Sequence, residues 1–211
     1  MTPPQSFFMR PQGRGWLILC GGPADDAIAA RAAALVQQAG QLVVLAPSTK
    51  AREVAEARLA ECSAVCGLPG ETVILGSPRG EEFLGEAAMI ILPDTVSAGE
   101  LAKTFEESGF GEGLLLALED GAVVLAEGRS SEALGEVIEA EDLGAGCGWL
   151  RRAVVQSHYE AGMACLAILK RPTLYRLGLG EHAALALGPQ GQVEVWGEPA
   201  PTLTLGAEWT R

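Results

Sequence analysis

Long apolar stretches and aromatic residues are scarce in this sequence. No run approaches the roughly 20 apolar residues that a membrane-spanning helix needs, and residues 1–15, rich in Pro and polar groups, lack the apolar core of a secretory signal. Aromatic residues are 5% of the chain and hydrophobic residues 48%, so the core must be built mainly from Ala, Leu and Val. The composition predicts a globular protein without a membrane span or a secretory signal.

Positive charge is also scarce. Lys and Arg number 15 against 27 Asp and Glu, which gives a formal net charge of −12, and no basic cluster is denser than Arg151-Arg152 or Lys170-Arg171. An acidic surface is repelled by a phosphate backbone and by anionic lipid. We therefore expect no nucleic acid and no membrane as partners, whereas a basic peptide or a small neutral ligand is less disfavoured.

Cysteines are present, but their spacing does not suggest a disulfide framework. The five residues are an odd number, and no two of them form Cys-x-x-Cys. Cys62 and Cys66 lie four residues apart, the spacing of one helical turn. We interpret the cysteines as reduced thiols of a cytoplasmic protein, with no zinc site or other metal site.

The length of 211 residues fits one hydrophobic core, since single cores extend to roughly 250 residues. We predict a single domain over residues 1–211, with a loosely ordered start at 1–14. The oligomeric state is open, and a homodimer is a hypothesis only.

Short, continuously apolar segments alternate with segments of helical periodicity along most of the chain. The predicted strands are 16–20, 41–45, 72–75, 88–92 and 122–126, and the predicted helices are 26–39, 51–61, 99–107 and 131–138. This alternation is typical of an α/β protein whose mostly parallel sheet is covered by helices on both faces. After residue 153 we predict a strand at 154–155, a helix at 159–169 and then short strands, which favours antiparallel pairing toward the C-terminus.

The segment 128–132, Gly-Arg-Ser-Ser-Glu, lies between a predicted strand and a predicted helix. A nucleophile elbow presents its serine at such a place, beside backbone N–H groups that can stabilise an oxyanion. The elbow usually ends in a second glycine, and Glu132 occupies that position here. On its own the segment also fits a plain helix start, with Ser130 or Ser131 as N-cap and Glu132 as a first-turn carboxylate.

One of the two histidines, His158, directly follows a predicted strand, where α/β proteins build their sites. Glu181 follows a later apolar segment, 177–180. A serine, a histidine and an acid at strand ends are the parts of a catalytic triad, whose members need only meet in space. Each residue alone also fits a structural role, as a hydrogen-bonded or exposed histidine and a solvated glutamate.

Several segments together resemble one known family in their order and approximate spacing. They are Leu-Ile-Leu-Cys-Gly-Gly-Pro-Ala-Asp-Asp (17–26), 121–133 around the elbow, Gly-Cys-Gly-Trp-Leu (146–150), Val-Val-Gln-Ser-His-Tyr (154–159), Gly-Leu-Gly-Glu-His-Ala-Ala-Leu (178–185) and Gln-Val-Glu-Val-Trp-Gly (192–197). These segments are similar to the first strand, elbow, histidine segment and acidic segment of the peptidase E and cyanophycinase family of serine hydrolases. The resemblance implies a three-layer αβα sandwich similar to the class I glutamine amidotransferases.

The resemblance also implies roles for single residues. Ser130 would be the nucleophile, His158 its base and Glu181 the acid that orients the imidazole. Three further residues would contact the substrate or the oxyanion: Ser131, Asp94 and Gly99. No cofactor is implied.

Three departures from the family pattern oppose activity. The segment 93–100 replaces the family's Gly-Gly-Asp-Gln turn after the fourth strand. Glu132 would bring a carboxylate close to Ser130 and oppose a developing oxyanion. The arginines that follow the histidine in cyanophycinases are replaced by the apolar or acidic segment 160–165, which makes cyanophycin an unsuitable substrate.

Two functions are therefore considered. The first is a serine-type peptidase or amidohydrolase that acts on short peptides through Ser130, His158 and Glu181. The second is a catalytically inactive family member that serves as a binding or assembly module. A glutamine amidotransferase would need a cysteine at the elbow, and nucleotide binding would need Gly-x-Gly-x-x-Gly, which the sequence lacks. The enzyme hypothesis expects the Ser130 hydroxyl within about 3.5 Å of a His158 ring nitrogen.

Overall fold

Residues 7–75, 77, 80–95, 97–139 and 143–210 are described in a computed structural model of the chain. The strands are β1 (Trp16–Cys20), β2 (Gln41–Ala46), β3 (Gly70–Ile74), β4 (Ala87–Leu92), β5 (Val123–Ala126), β6 (Gly135–Ile138), β7 (Gly144–Ala145), β8 (Leu150–Gln156), β9 (Tyr175–Gly178), β10 (Ala183–Leu187), β11 (Val193–Gly197) and β12 (Thr202–Leu205). The α-helices are α1 (Asp26–Ala34), α2 (Arg52–Cys66), α3 (Gly80–Gly85), α4 (Ala98–Ser108), α5 (Phe110–Asp120), α6 (Arg129–Ala133) and α7 (Leu166–Lys170). Short 3₁₀ turns cover Thr49–Ala51 and Pro189–Gly191.

The main sheet has seven strands in the order β11-β10-β1-β5-β4-β2-β3. The strands from β1 to β3 in this order run parallel, while β10 pairs antiparallel with both β1 and β11. Every residue of β1, β4 and β5 is buried, which explains their continuously apolar sequences. The prediction of a mostly parallel sheet with antiparallel strands toward the C-terminus is confirmed.

Side chains of the main sheet alternate between hydrophobic cores on its two faces. In β1, Leu17 and Leu19 belong to the core that contains α4 and α5. Ile18 and Cys20 belong to the core that contains α1 and α2. Helices therefore cover both faces of the sheet, as the α/β prediction expected.

A second sheet, which the sequence analysis did not predict, has the strand order β12-β9-β8-β6-β7. Its inner strands β6, β8 and β9 run parallel, and the edge strands β7 and β12 are antiparallel to their neighbours. Val155 of β8 and Leu177 of β9 join the core on the α4 and α5 side of the main sheet. The second sheet therefore covers part of that face together with the helices.

Two predicted helices are wrong over most of their length. Residues 135–138, predicted as helix, form β6, whose Val137 pairs with Val154 of β8; β-branched residues suit a strand at this position. The helix predicted over 159–169 is reduced to α7, because Gly162 has a φ of +94°, which an α-helix does not accommodate.

Other helix boundaries differ less. α1 ends at Ala34 and not at residue 39, because the N–H groups of Leu35 and Val36 bond three residues back, to Ala32 and Ala33, and tighten the last turn. The sequence analysis did not predict α3 and α5. No helix within the described ranges has both the length and the apolar character needed to cross a membrane.

The N-terminal segment is described from Phe7 onward, so residues 1–6 of the predicted loose start at 1–14 lie outside the described residues. The Phe7 ring stacks on Trp209 with a centroid distance of 4.9 Å and lies 5.2 Å from the Tyr175 ring. Arg14 N donates to the carbonyl of Glu119 at 3.2 Å. These contacts join the segment to the second sheet and to α5.

A buried ion pair joins α2 to the loop after β5. Arg58 Nη2 lies 2.5 Å from Glu127 Oε1, and the two side chains are 13% and 1% exposed. Ala24, in the loop after β1, donates its N–H to Glu127 Oε1 at 3.0 Å and accepts a hydrogen bond from Arg58 Nη2 at 2.6 Å. Burial raises the pKa of Glu127, although the hydrogen bonds from Arg58 act in the opposite direction. The pair holds the loops after β1 and β5 against each other.

Replacing Arg58 with Met should destabilise the fold, because it leaves Glu127 buried without its cation. We expect the free energy of unfolding at neutral pH to fall by about 3 kcal/mol, the order found when one partner of a buried pair is removed. Most of this loss should return in Arg58→Met/Glu127→Gln. Urea denaturation measures both changes.

The matched control is Arg52→Met on the same helix. Arg52 pairs with Glu56 at the surface, and exposed pairs contribute less than about 1 kcal/mol. Equal losses in Arg58→Met and Arg52→Met would show that the buried pair contributes no more to the free energy of unfolding than the exposed pair does.

Candidate active site

The carboxyl ends of neighbouring parallel strands meet at one edge of the main sheet. β1, β5 and β4 lie side by side, and Gly128 N, after β5, donates to the carbonyl of Cys20 at 3.1 Å. The loop after β8 joins them, since His158 N donates to the carbonyl of Gly21 at 2.8 Å. Ligand sites of α/β proteins form at this edge, and the candidate residues gather here.

His158 lies between two carboxylates. Its Nδ1 forms a short hydrogen bond with Glu181 Oε2, and its Nε2 lies 3.0 Å from Asp94 Oδ2. Burial acts to lower the pKa of His158, but the hydrogen bonds and charges of Glu181 and Asp94 outweigh it and raise the pKa above its ordinary value. The imidazole therefore binds a proton more tightly than a free histidine does.

The backbone of His158 adopts a left-handed conformation with a φ of +47°. This region is uncommon for residues other than glycine, although histidine enters it more often than most. Hydrogen bonds on both sides fix the chain, from His158 N to Gly21 and from Tyr159 N to the carbonyl of Leu179 at 2.8 Å. Such conformations cluster at functional sites, where the surrounding structure compensates for their cost.

Glu181 approaches the imidazole across the Gly-Gly turn that follows β1. A Cβ on Gly22 would lie 2.7 Å from Glu181 Oε1, so a larger residue there would displace the carboxylate. The absence of a side chain at Gly22 is therefore one condition for the pairing of Glu181 with His158.

Asp94 is the innermost charged group of this cluster. Its side chain is 12% exposed, whereas those of His158, Glu181 and Arg129 are 43%, 50% and 53% exposed. While Oδ2 bonds to His158, Oδ1 accepts hydrogen bonds from Arg129 N at 3.2 Å and from Arg129 Nε at 3.1 Å. The family resemblance implied a substrate or oxyanion contact for Asp94, and its pairing with His158 was not predicted.

Gly128 occupies the sharp turn between β5 and α6, with φ +51° and ψ −123°. Side chains are rarely tolerated at such a positive φ, and a Cβ on Gly128 would overlap the carboxylate of Asp94. A strand-to-helix turn of this kind is where a nucleophile elbow presents its reactive side chain. The Asp94 carboxylate therefore fills the space into which a side chain at position 128 would extend.

Ser130, the predicted nucleophile, is the second residue of α6 and is 2% exposed. Its hydroxyl donates to the carbonyl of Pro93 at 2.8 Å. Among the described residues, both ring nitrogens of His158 pair with carboxylates and neither with Ser130. The structure thus brings together His158 and Glu181 but not Ser130, and the role of Ser130 stays a prediction.

The other predicted contacts, Ser131 and Gly99, lie in different surroundings. Ser131 is fully buried, its hydroxyl oxygen lies 2.8 Å from the carbonyls of Cys20 and Ala126, and it accepts a hydrogen bond from Cys20 N at 3.1 Å. It therefore ties the ends of β1 and β5 together. Gly99 lies in the first turn of α4, just after the N-cap Ser97.

Glu132, expected to oppose an oxyanion at Ser130, bonds to Ser157. Its Oε1 accepts hydrogen bonds from the Ser157 N–H at 3.0 Å and from the Ser157 hydroxyl at 2.7 Å. Burial raises the pKa of Glu132, and the bonds from Ser157 act against this rise. Because Ser157 precedes His158, Glu132 helps to position the imidazole.

The cluster can hold a proton and bind polar groups. A protonated His158 and Arg129 balance the negative charges of Asp94 and Glu181. Within the described part of the chain, no group of three or more His, Cys, Asp or Glu side chains is arranged to hold a metal ion.

Sequence analysis missed two features of this site. β5 ends at Ala126, so the turn in which an elbow places its nucleophile falls at Gly128, and counting from the strand end would have identified it. The pairing of Asp94 with His158 has no local signal, because it joins residues 64 positions apart.

Gly128→Ala tests whether the approach of Asp94 depends on the missing side chain. We expect the free energy of unfolding to fall by about 1–3 kcal/mol, because of the positive φ and the overlap with Asp94. In an Asp94→Ala background the same substitution should cost less, since the overlap is gone. Urea denaturation of this double-mutant cycle gives the coupling, and equal costs in both backgrounds would contradict the contact.

Protonation of His158 should make the fold more stable at low pH than at high pH. Because the folded-state pKa is raised, the stabilisation is complete below the unfolded value of about 6.5 and is lost as the pH rises through the folded value. The difference in unfolding free energy between wild type and His158→Gln should therefore shrink as the pH rises from about 6.5, the unfolded value, through the raised folded-state pKa. Urea denaturation across this range measures it, and a constant difference would be the contrary result.

The folds of solved peptidases are similar to that of this chain. A peptidase from an acI-B1 Actinobacterium matches with a TM-score of 0.71 and 15% identity, over 93% of this chain and 97% of its own. A putative peptidase E from Listeria monocytogenes EGD-e matches with a TM-score of 0.63 and 11% identity, over 88% of this chain and 99% of its own. No protein-family model and no curated protein sequence matches the chain. The chain therefore has a peptidase E-like fold.

Proposed function

We propose that this chain is a peptidase E-like protein that does not carry out serine hydrolysis and acts as a binding module. The observation that carries the proposal is the Asp94 carboxylate, which lies 3.0 Å from His158 Nε2 and fills the space beside Gly128. In a serine hydrolase this nitrogen accepts the proton of the nucleophile. An ionised carboxylate in that position has no proton to give.

The protonation of His158 also supports the proposal. A general base must be unprotonated to accept a proton, and efficient bases have pKa values near the working pH. Against the lowering effect of burial, Glu181 and Asp94 raise the pKa of His158 and favour the protonated ring. A protonated imidazole bridges two carboxylates instead of activating a hydroxyl.

The exposed groups of the cluster suit a small zwitterionic ligand. Glu181 and Arg129 are each about half exposed and carry opposite charges. Glu181 can attract an ammonium group and Arg129 a carboxylate, which are the groups at the two ends of a short peptide. We therefore propose a short peptide as the ligand, bound without cleavage, and neither nucleic acid nor membrane as a partner.

Serine hydrolysis of short peptides or amides is the competing proposal, and the pairing of His158 with Glu181 favours it. It requires His158 to leave Asp94, and it requires Ser130 to exchange its bond with the Pro93 carbonyl for one with the imidazole. Ser130 would also have to become accessible to a substrate from 2% exposure. Because each change breaks hydrogen bonds of the folded chain, we prefer the binding proposal.

A cytoplasmic setting is part of the proposal. Burial raises the pKa of the Cys62 and Cys147 thiols to about 12, so these groups stay protonated and unreactive. All five cysteines are free, as a reducing compartment requires. The homodimer is a hypothesis that light scattering can test.

Labelling with a fluorophosphonate probe, followed by mass spectrometry of the modified peptide, tests the proposal. We expect no labelling of the folded wild type, because both ring nitrogens of His158 pair with carboxylates. Labelling at Ser130 that disappears in both Ser130→Ala and His158→Ala would establish the competing proposal.

A variant designed to place a serine beside His158 serves as the positive control for labelling. Asp94→Ala/Gly128→Ser removes the carboxylate and places a hydroxyl in the turn that faces His158, so we expect labelling at position 128 that is lost when His158→Ala is added. The single variant Gly128→Ser is the matched control, because Asp94 still occupies the space and should prevent labelling.

A further inference from the structure

A cavity of about 900 Å³ lies at the opposite end of the main sheet from the His158 cluster. Residues of the segments 7–13, 147–152 and 187–192 line it, at the start of β8 and the end of β10, whereas His158 follows the end of β8. Pockets of this size hold small organic ligands. Its apolar wall is formed mainly by Phe7, Phe8, Trp149, Tyr175, Leu187 and Trp209.

The lining of this cavity is basic, although the protein is acidic. Arg10, Arg151 and Arg152 contribute to it, and none of the described lining residues is Asp or Glu, in a chain with 27 acidic and 15 basic residues. The charge of Glu136 acts on Tyr175, but this carboxylate lies outside the wall and accepts a hydrogen bond from Arg152 N at 2.6 Å. The cavity therefore attracts a negatively charged ligand.

Arg10 and Tyr175 line the cavity, and one buried polar atom of each, Arg10 Nη1 and the Tyr175 hydroxyl, has no hydrogen-bond partner among the described residues. The other nitrogens of Arg10 are fixed, since Nε donates to the carbonyl of Gly188 and Nη2 to that of Gly13, each at 3.1 Å. Tyr175 is 1% exposed, and burial raises the pKa of its phenol, so the hydroxyl stays a donor. Buried donors without acceptors are costly, and an acceptor that binds both atoms would remove this cost.

We propose that the cavity binds a hydrophobic monocarboxylate, an acid with an aromatic or branched apolar body, whose carboxylate accepts hydrogen bonds from Arg10 Nη1 and the Tyr175 hydroxyl. One cationic arm and one neutral hydroxyl match the two oxygens and single charge of a carboxylate. The aromatic wall receives the apolar body. This site is separate from the His158 cluster and does not depend on the function proposed there.

A phosphate fits the same wall less well. A dianion needs more donors, and Arg152 does not supply them, because its guanidinium bonds to the carbonyls of Thr173 and Thr210 and stacks over Trp209 at 5.5 Å. Arg151 is the other arginine of the lining and is exposed, so the buried donors, Arg10 Nη1 and the Tyr175 hydroxyl, favour a single carboxylate.

Binding of 2-naphthoate, compared with the neutral 2-naphthamide of nearly the same shape, tests the proposal. Isothermal titration calorimetry should give at least about tenfold tighter binding of naphthoate to the wild type, the effect expected of a charge-assisted hydrogen bond. The indole N–H resonances of Trp149 and Trp209, which line the cavity, should shift during the same titration followed by NMR.

Two variants separate the donors from the apolar wall. Tyr175→Phe and Arg10→Met should each weaken naphthoate binding about tenfold and leave naphthamide binding unchanged. Arg52→Met changes the net charge equally at the exposed α2 surface and should bind naphthoate as the wild type does. Tyr175→Phe removes only a buried, unpaired hydroxyl, so its melting temperature should equal or exceed that of the wild type and show that weaker binding is not unfolding.

Three results would overturn the proposal. They are no binding of naphthoate by the folded wild type, equal affinity for naphthoate and naphthamide, and unchanged naphthoate affinity in both Tyr175→Phe and Arg10→Met. Chemical-shift changes confined to His158 would locate the ligand at the other end of the sheet and would also contradict it.

Discussion

The pairing of His158 with both Asp94 and Glu181 is the interaction around which the carboxyl edge of the main sheet is organised. The three residues come from separate loops, after β4, after β8 and before β10. Two carboxylates brought this close would repel each other unless a cation lay between them. When it is protonated, as the raised pKa favours, His158 supplies that cation, and Arg129 pairs with Asp94 as a second one. The charge balance of the cluster is therefore best with the proton that a general base would have to lack.

Two glycines, which have no side chain, are as important for this cluster as its charged residues are. Gly22 leaves room for the carboxylate of Glu181, and Gly128 leaves room for that of Asp94. The second case supports the proposed loss of hydrolysis, because a side chain at position 128 and the carboxylate of Asp94 cannot occupy the same space. An elbow whose turn residue is glycine keeps the backbone geometry of a nucleophile site while it accommodates a second acid beside the histidine.

The sequence predicts the parts of the fold in which burial dictates composition. β1, β4 and β5 are buried on both faces, so their apolar runs mark them clearly, and their carboxyl ends mark the edge where the candidate residues gather. The second sheet could not be predicted in this way, because β7 has only two residues and β12 alternates between partly buried and exposed positions. Such short or half-exposed segments become strands because they pair with strands that are distant in the sequence. The local pattern of apolar residues does not predict that pairing.

In the site, too, residues beside a predicted strand end could be predicted from the sequence, whereas contacts between distant segments could not. His158 and Glu181 could be selected because each stands beside a predicted strand end. Ser130 was assigned from the resemblance of the segment 121–133 to the family's elbow, whereas the turn geometry falls at Gly128, two residues earlier. The partner of His158 Nε2 could not be inferred, because Asp94 reaches it from a loop after a strand of the other sheet.

The two ends of the sheet place opposite charges in one acidic chain. β8, a strand of the second sheet, runs from one end to the other, with Arg151 and Arg152 near its start beside the basic cavity and His158 after its end in the acidic cluster. A net charge of −12 disfavours the approach of an anion at long range, yet salt screens this repulsion beyond about 10 Å. The buried Arg10 arm and Tyr175 hydroxyl act at contact distance, where solvent ions screen little. Recognition of a carboxylate at this end is therefore governed by a few desolvated donors, and the overall charge of the protein limits how fast an anion arrives more than how firmly it is held.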